Sequence, residues 1–240
     1  MPKIHVLLKK EELDHQRLPG KVVIVLDILF ATTSIVTALA HGAKEVAPAL
    51  NGEAALAESR KRPPSSYILS GELNADTLPG FVHPTPLALM REPLADRAVL
   101  YCTTNGTVAL HKSRAADHVY AAALVNGQAV VEHIVRNHGD ETVLIVCSGS
   151  ADNFNLEDFY GAGHLVSLLR QQDPSRYEFT DAALAAGLLY EHGDAVECLN
   201  RSRVGRMMLA RQLADEIRFA AQKDCFSVVP ILIDGVLRPI

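Results

Sequence analysis

Clusters of carboxylates, threonines and glycines follow four apolar runs of the 240-residue sequence. The clusters are Asp27 with Thr32 and Thr33, Gly71 with Glu72, TTNGT at 103–107, and SGSADN at 148–153 with Glu157 and Asp158 shortly after. Carboxylate oxygens are preferred ligands of Mg²⁺. Hydroxyl and backbone N–H groups at a helix N-terminus bind phosphate. The clusters therefore predict metal-assisted chemistry on a phosphate or a similar anion.

The acidic residues are the candidate metal ligands. Asp27 lies five residues before Thr32, too early to cap a helix that begins near Ser34, which favours a chemical role for it. Glu72 follows a glycine in a predicted loop, where a structural role is equally compatible with the sequence. Glu157 and Asp158 lie near a predicted helix start, where the helix dipole accounts for one acid and leaves the second available to a metal.

The threonines are the candidate anion donors. Thr32 with Thr33, and Thr103 with Thr104, both follow a predicted strand and precede a predicted helix, so either pair could simply cap its helix. The repetition of one pattern after two strands favours an oxyanion site instead. Gly106, within TTNGT, is suited to close approach of the backbone to a ligand.

Hydrophobic periodicity predicts the elements that must position these residues. Near-continuous β-branched runs predict strands buried on both faces, at 4–8, 22–27, 45–50, 67–70, 98–102, 118–122, 142–147 and 226–230. Helix-period segments lie between them at 33–42, 53–61, 106–113 and 126–139. The pattern from 154 to 224 is helical, with predicted helices at 156–171, 180–193 and 204–224.

This alternation predicts an α/β fold with a mostly parallel or mixed sheet, flanking helices and a helical C-terminal portion. We expect one domain over residues 1–240, with two α/β lobes as the alternative because the composition changes near residue 150. Ligands bind beyond the carboxyl ends of parallel strands, so the four clusters are expected on one edge of the sheet. The Ala- and Leu-rich helices after residue 180 are compatible with a homo-oligomer.

Composition excludes several classes of function. The formal net charge is −5 and no long basic run exists, which disfavours nucleic-acid binding. No apolar run approaches the roughly 20 residues of a membrane span, and the N-terminus is unlike a signal peptide. The four cysteines are widely separated, which disfavours a thiol metal site and fits a cytoplasmic protein. Cys102 and Cys147 end apolar runs and are expected to be buried.

Several longer motifs resemble one known family. They are VVIVLDILFATTSIVTALAHGAKEV, SGELNADTLPGF, CTTNGTVAL, LVNGQAVV, CSGSADNFNLEDFYGAG and FTDAA, in that order along nearly the whole chain. The combination is similar to the 2-phosphosulfolactate phosphatase family, known from coenzyme M biosynthesis. The resemblance implies a family-specific α/β fold and a Mg²⁺-dependent hydrolase that converts (2R)-2-phospho-3-sulfolactate into 3-sulfolactate and phosphate.

The resemblance also assigns roles to residues of this chain. The acidic motifs fall on Asp27, Glu72 and Asp158, with Glu157 adjacent, as metal ligands. Asp27 and Asp158 are also the catalytic candidates, and the attacking group is either water or a carboxylate such as Asp27. The anion-binding motifs fall on Thr32, Thr33, Thr103, Thr104, Asn105, Gly106 and Thr107.

The sequence departs from the family pattern at Phe30 and Leu73, where the family motifs carry arginine, and at HPTP (83–86), where they carry a stretch similar to SNSP. Arginine is well suited to bidentate binding of phosphate or sulfonate. The alternative is therefore a diverged member that acts on a less charged ligand or only binds an anion. Five arginines could replace the missing pair, and each is expected on the surface: Arg91, Arg97, Arg201, Arg203 and Arg206.

Overall fold

The strands form where the sequence has short β-branched runs, and the helices form where apolar residues recur with helical spacing. The computed structural model describes residues 1–240. The strands are β1 (Lys3–Leu7), β2 (Lys21–Leu26), β3 (Glu45–Ala49), β4 (Tyr67–Leu73), β5 (Asp76–Thr77), β6 (Ala98–Cys102), β7 (His118–Ala122), β8 (Thr142–Cys147), β9 (Glu178–Phe179), β10 (Pro230–Ile233) and β11 (Val236–Pro239). The helices are α1 (Ala31–Ala40), α2 (Gly52–Ser59), α3 (Pro86–Leu89), α4 (Gly106–Lys112), α5 (Gly127–Asn137), α6 (Leu156–Gln172), α7 (Asp181–His192), α8 (Ala195–Arg201), α9 (Arg203–Ala210) and α10 (Ala214–Ala220).

All eleven strands belong to one mixed sheet in the order β5-β4-β6-β3-β11-β10-β7-β2-β8-β1-β9. It contains two parallel blocks. The first block is β9-β1-β8-β2-β7 and the second is β3-β6-β4. The hairpin of β10 and β11 joins them and pairs antiparallel with both. The predicted α/β class with a mixed sheet and flanking helices is confirmed.

The prediction of a single edge carrying all the strand ends is wrong in one respect. Three successive antiparallel pairings separate β7 from β3, so the two parallel blocks run in opposite directions along the sheet. The carboxyl ends of β2 and β6 nevertheless lie close together, as the contact between Gly106 and Asp27 shows.

The central strand β2 is buried on both faces, as its apolar run predicts. Val22, Ile24 and Leu26 pack into a cluster of 38 buried residues. Val23 and Val25 point to the other face and pack into a second cluster of 21 buried residues. Because β2 is fixed on both sides, its last residues offer a rigid base for the polar residues that follow.

The C-terminal third differs from its prediction in four places. The strand β9 lies within the stretch that was predicted to be helical. The helix predicted at 204–224 is two helices, α9 and α10, because the chain breaks at Arg211–Leu213, where Gln212 has φ of 61°. The helix α8 lies in the stretch predicted to be helical, but it was not predicted as a separate helix. The strand predicted at 226–230 is wrong, since only Pro230 of that run belongs to a strand and the hairpin follows it.

Two further findings concern composition. Cys102 and Cys147 are buried, as predicted, and none of the four cysteines forms a disulfide. None of the helices combines the length and the apolar character that crossing a membrane requires.

Candidate active site

A cleft of about 210 Å³ opens where the chain leaves β2, β4, β6 and β8. Its walls include Asp27, Phe30, Glu72, Thr103, Asn105 and Arg203. The sequence separates these residues by up to 176 positions, and the meeting of the two parallel blocks brings them together. The cleft therefore gathers residues from each of the four polar clusters or their neighbours.

Asp27 forms the floor of the cleft directly after β2 and is 6% exposed. Burial raises the pKa of its carboxyl to about 6, and the nearby Glu72 adds to the rise. The backbone amides of Ala31 and Gly106 and the charge of Lys10 act in the opposite direction. A buried carboxylate held by helix N-terminal amides and facing a second acid is a site where a cation is stabilised.

Gly106 is required by its position against Asp27. A Cβ atom at this residue would lie 2.7 Å from Oδ2 of Asp27 and 2.4 Å from the Cβ of Ala31. Both distances are shorter than a normal non-bonded contact, so only glycine allows α4 to begin against the end of β2. The role found for Gly106 is therefore to seat the catalytic candidate.

Glu72, at the end of β4, is fixed by the TTNGT turn. Its Oε1 accepts hydrogen bonds from the backbone N–H of Thr104 at 2.7 Å and from its hydroxyl at 2.9 Å. Its Oε2 accepts one from the backbone N–H of Ala75 at 2.5 Å. These bonds hold the carboxylate in the cleft wall, near Asp27. They also engage the hydroxyl of Thr104, which was predicted to bind the anion.

Glu157 and Asp158, in the first turn of α6, lie beneath the cleft rather than in its wall. Asp158 is fully buried, and its two oxygens accept the backbone N–H groups of Ile28 at 2.9 Å and Gly149 at 3.1 Å. It thereby ties the loop after β2 to the loop after β8. Burial, followed by the charges of Glu157 and Asp27, raises its pKa well above the ordinary range.

The carboxylate of Glu157 is 1% exposed, and neither of its oxygens has a hydrogen-bond partner. Burial raises its pKa to about 7, and the charge of Asp27 contributes to the rise. Two unpartnered carboxylate oxygens in the interior are costly unless a proton or a cation neutralises them. The burial therefore favours the protonated form of Glu157, while Ser202 and the charge of Arg203 act in the opposite direction.

Within TTNGT, the hydroxyl of Thr103 and the side-chain N–H groups of Asn105 stay available to a ligand. The hydroxyl of Thr103 is buried in the cleft wall and has no hydrogen-bond partner. The Oδ1 atom of Asn105 accepts a hydrogen bond from Nζ of Lys10 at 3.1 Å. By contrast, the hydroxyl of Thr107 donates to the carbonyl of Thr103 at 2.8 Å and does not line the cleft.

The structure places Thr32 and Thr33 outside the cleft wall, and both are fully buried. The hydroxyl of Thr32 donates to the carbonyl of Asp27 at 3.0 Å and accepts its backbone N–H at 2.9 Å. The hydroxyl of Thr33 donates to the carbonyl of Ile28 at 2.8 Å. These bonds shape the loop between β2 and α1, so the contacts of this pair are structural.

Two cations lie at the site. Lys10 was not predicted, and Arg203 was named only as one of five arginines that could replace the missing pair. Lys10 lies beside the cleft and is 5% exposed. Its Nζ donates to the carbonyl of Ser148 at 3.2 Å and to Asn105, and it forms an ion pair with Glu11 at 3.2 Å. Arg203 begins α9 and reaches the cleft, where its guanidinium donates to Ser150 and to Oδ1 of Asn155. Arg203 is exposed, as expected, and forms no salt bridge, although its charge opposes the rise in the pKa of the buried Glu157. No local motif marks either residue.

The positions where the family pattern has arginine have different environments. Phe30 is 8% exposed and lines the cleft, whereas Leu73 is 59% exposed and does not. His83 packs edge-on against Phe30, with ring centroids 6.2 Å apart, and its Nδ1 lies 3.0 Å from the hydroxyl of Thr85. Burial lowers the pKa of His83. Phe30 therefore contributes apolar surface where relatives are expected to have a guanidinium.

Comparison with known proteins follows the motifs. The family model described as 2-phosphosulpholactate phosphatase matches residues 7–235. A protein of Symbiobacterium thermophilum named probable 2-phosphosulfolactate phosphatase is 35% identical over 223 residues, which cover 92% of this chain and 94% of the relative. Proteins of the same name from Clostridium beijerinckii and Clostridium novyi are 33% and 30% identical, over 97% and 95% of this chain and 98% and 96% of their own. The resemblance is thus confirmed, and the chain belongs to the 2-phosphosulfolactate phosphatase family.

Proposed function

We propose that this chain is a Mg²⁺-dependent phosphatase that hydrolyses (2R)-2-phospho-3-sulfolactate to 3-sulfolactate and phosphate. Family membership supports the class of enzyme, a phosphoric monoester hydrolase. The observation that carries the proposal is the placement of an arginine without an acidic partner, Arg203, in the same cleft as Asp27 and Glu72. A coenzyme M pathway and a cytoplasmic location belong to the proposal through the family resemblance alone.

The donor set fits a hard divalent cation. Asp27 and Glu72 present carboxylates in the cleft, and Glu157 leaves two carboxylate oxygens unpartnered beneath it. Oxygen donors without thiol or imidazole suit Mg²⁺. In our proposal Asp27 and Glu72 hold the ion, Glu157 adds negative charge behind them, and Asp158 acts as a positioning residue. When bound, Mg²⁺ neutralises charge that develops on the phosphate.

In this proposal, different residues bind the two anionic groups of the substrate. The free hydroxyl of Thr103 and the ammonium of Lys10 are suited to the phosphate, since both lie in or beside the TTNGT turn. Arg203 extends from α9 on another side of the cleft and supplies positive charge for the second anionic group. This arrangement supports a doubly anionic substrate despite the absence of arginine at positions 30 and 73.

A phosphate-release assay tests the proposal directly. Phosphosulfolactate and a panel of other phosphate monoesters are compared with Mg²⁺ and with EDTA. We expect Mg²⁺-dependent turnover that is highest for phosphosulfolactate, and its loss in Asp27→Asn and Glu72→Gln. Asp234→Asn, in the distant β10–β11 turn, is the matched control. Turnover that is unchanged by EDTA or by Asp27→Asn would contradict the proposal.

A second candidate rests on Phe30. Its apolar ring in the cleft favours a substrate with one anionic group, and such an enzyme would prefer simpler monoesters in the same panel. Gain of phosphosulfolactate turnover in the double variant Phe30→Arg with Leu73→Arg would support this candidate. Oxygen-18 from solvent appearing in phosphate during a single turnover would identify water, rather than a carboxylate, as the attacking group.

A further inference from the structure

A cluster of imidazoles lies at the amino ends of the first block, away from the cleft. His118 is the first residue of β7, His138 follows α5, and Glu141 directly precedes β8. His118 pairs with Val22 in the register of β2, and Asp27 lies five residues further along that strand. The cluster is therefore about 17 Å from the cleft floor, at roughly 3.3 Å per strand residue.

Three side chains of this cluster converge. His118, His138 and Glu141 each offer one nitrogen or oxygen atom, and these atoms all lie within 4.8 Å of one another. Nδ1 of His138 is 2.8 Å from Oε1 of Glu141, and the rings of His118 and His138 have centroids 4.2 Å apart. The ring of His118 makes no hydrogen bond. The ring of His118 therefore lies beside the hydrogen-bonded pair of His138 and Glu141 without a polar partner of its own.

The surroundings of His138 match what a metal-ligating histidine needs. Its Nε2 lies 2.7 Å from the hydroxyl of Tyr120, which in turn lies 3.1 Å from Nε2 of His133. If Nδ1 of His138 bound a metal, the proton on its Nε2 would be donated to Tyr120, and the tyrosine hydroxyl would donate to His133. Outer partners of this kind fix the tautomer and orientation of ligating histidines.

The donor set selects the class of metal. Two imidazoles and one carboxylate suit Zn²⁺ and neighbouring first-row transition metals, whereas Mg²⁺ takes oxygen ligands. Imidazole must be neutral to bind a metal.

We propose that His118, His138 and Glu141 form a zinc site that is separate from the phosphatase cleft. The three residues supply three ligands, and water completes a tetrahedral site. His118 and Glu141 are partly exposed, so an ion can enter from solvent. The bound ion ties the connection between α5 and β8 to the start of β7 and stabilises the amino ends of these strands. The inference does not rest on the proposed phosphatase activity.

The test measures zinc binding by untagged protein in the Asp27→Asn background, which weakens cation binding in the cleft and leaves the proposed site intact. Isothermal titration with ZnCl₂ should give one ion per chain, and excess Mg²⁺ should not displace it. Zinc should raise the melting temperature. Co²⁺ should give the visible absorption of a tetrahedral complex.

Substitutions of the proposed zinc ligands distinguish binding at this site from zinc binding elsewhere on the protein. His118→Ala should lose more affinity than the roughly 10–100-fold that loss of an outer partner costs, and should lose the zinc-dependent rise in melting temperature. His192→Ala, an exposed histidine at the end of α7, is the matched control and should bind as the parent does. Glu141→Gln provides a second variant if His118→Ala is poorly folded. Equal affinity in parent, His118→Ala and Glu141→Gln, or no stoichiometric binding, would overturn the proposal.

Discussion

Thr104 donates two hydrogen bonds to the same oxygen of Glu72, one from its backbone N–H at 2.7 Å and one from its hydroxyl at 2.9 Å. The second threonine of TTNGT therefore orients a carboxylate of the cleft, whereas the sequence predicted that it binds the anion of a ligand. A hydrogen bond to a charged group contributes about 1.5–3 kcal/mol. The turn after β6 thus orients an acid that comes from β4.

Thr104→Val should weaken Mg²⁺-dependent activity without abolishing it. The substitution removes the hydroxyl but keeps the shape of the side chain and the backbone N–H. Loss of an outer hydrogen bond to a metal ligand typically costs about 10–100-fold in metal affinity. We expect the Mg²⁺ concentration at half-maximal rate to rise by that order, measured by phosphate release. Thr104→Ser keeps the hydroxyl and should behave as wild type, whereas equal effects of Val and Ser would contradict the assignment.

Gly106→Ala should destabilise the protein and displace Asp27. The added Cβ would lie 2.4 Å from Cβ of Ala31 and 2.7 Å from Oδ2 of Asp27, so the start of α4 must move. Overpacking of a tight interior typically costs about 1–3 kcal/mol. Urea unfolding measures the loss, and the phosphatase assay should show a large fall in kcat.

The control for Gly106 is Gly187→Ala in α7, where the nearest atom to a new Cβ is a methyl group of Val166 at 3.3 Å. This contact is milder, and alanine favours a helix interior by up to about 1 kcal/mol relative to glycine. Gly187→Ala should keep full activity. Retention of full activity and stability by Gly106→Ala would show that the start of α4 adjusts freely.

Local patterns in the sequence predicted most elements of the first 150 residues, because strand burial and helix periodicity are local properties. The direction of the two parallel blocks was not predicted, because it depends on the terminal hairpin. A signal for that hairpin exists: Asp234-Gly235 lies between two apolar runs, and both residues have positive φ, of 51° and 82°. Such a pair is typical of a two-residue hairpin turn.

The candidate site was predicted only in part for a related reason. Asp27, Glu72 and Thr103 follow strands, so the rule that ligands bind at strand ends located them in the cleft. Thr32 has the same local pattern as Thr103, but its hydroxyl turns back to its own loop, a difference in side-chain direction that spacing does not encode. Arg203 reaches the cleft from α9 through tertiary packing, which leaves no local mark in the sequence.

Metal-free protein should become less stable as pH rises from about 4.5 to 7. Burial raises the pKa of Glu157 from 4.5 to about 7, so between these values the folded chain holds a proton that the unfolded chain has lost. The free energy of unfolding then falls with rising pH, by about 3 kcal/mol for this group once the pH exceeds 7. Urea unfolding in EDTA at pH 5, 6, 7 and 8 measures the slope.

Glu157→Gln separates this group from the other buried acids. The variant cannot ionise, so its stability should fall less between pH 5 and 8, and it should exceed wild type at pH 8 in EDTA. A residual slope is expected from Asp27, whose pKa burial raises to about 6, and from Asp158, whose pKa burial raises well above its ordinary range. Glu53→Gln, an exposed acid at the start of α2, should keep the wild-type slope. Equal slopes for Glu157→Gln and wild type would be evidence against a buried, unpartnered Glu157.

Arg203→Ala should raise KM for phosphosulfolactate by about 10–100-fold, because a guanidinium without an acidic partner is the free positive charge in the cleft wall. The expected effect on kcat is small, since in our proposal Arg203 binds the substrate equally in the ground state and in the transition state. Arg203→Lys keeps the charge but loses the fork of donors, and should give an intermediate KM. Arg201→Ala is the matched control. Arg201 is exposed, belongs to the neighbouring helix α8 and pairs with Glu197 of the same helix at 3.1 Å.

If Arg203 binds the second anionic group, KM for a monoester without a sulfonate should change much less in Arg203→Ala. An equal rise for both substrates would instead place the phosphate itself against Arg203.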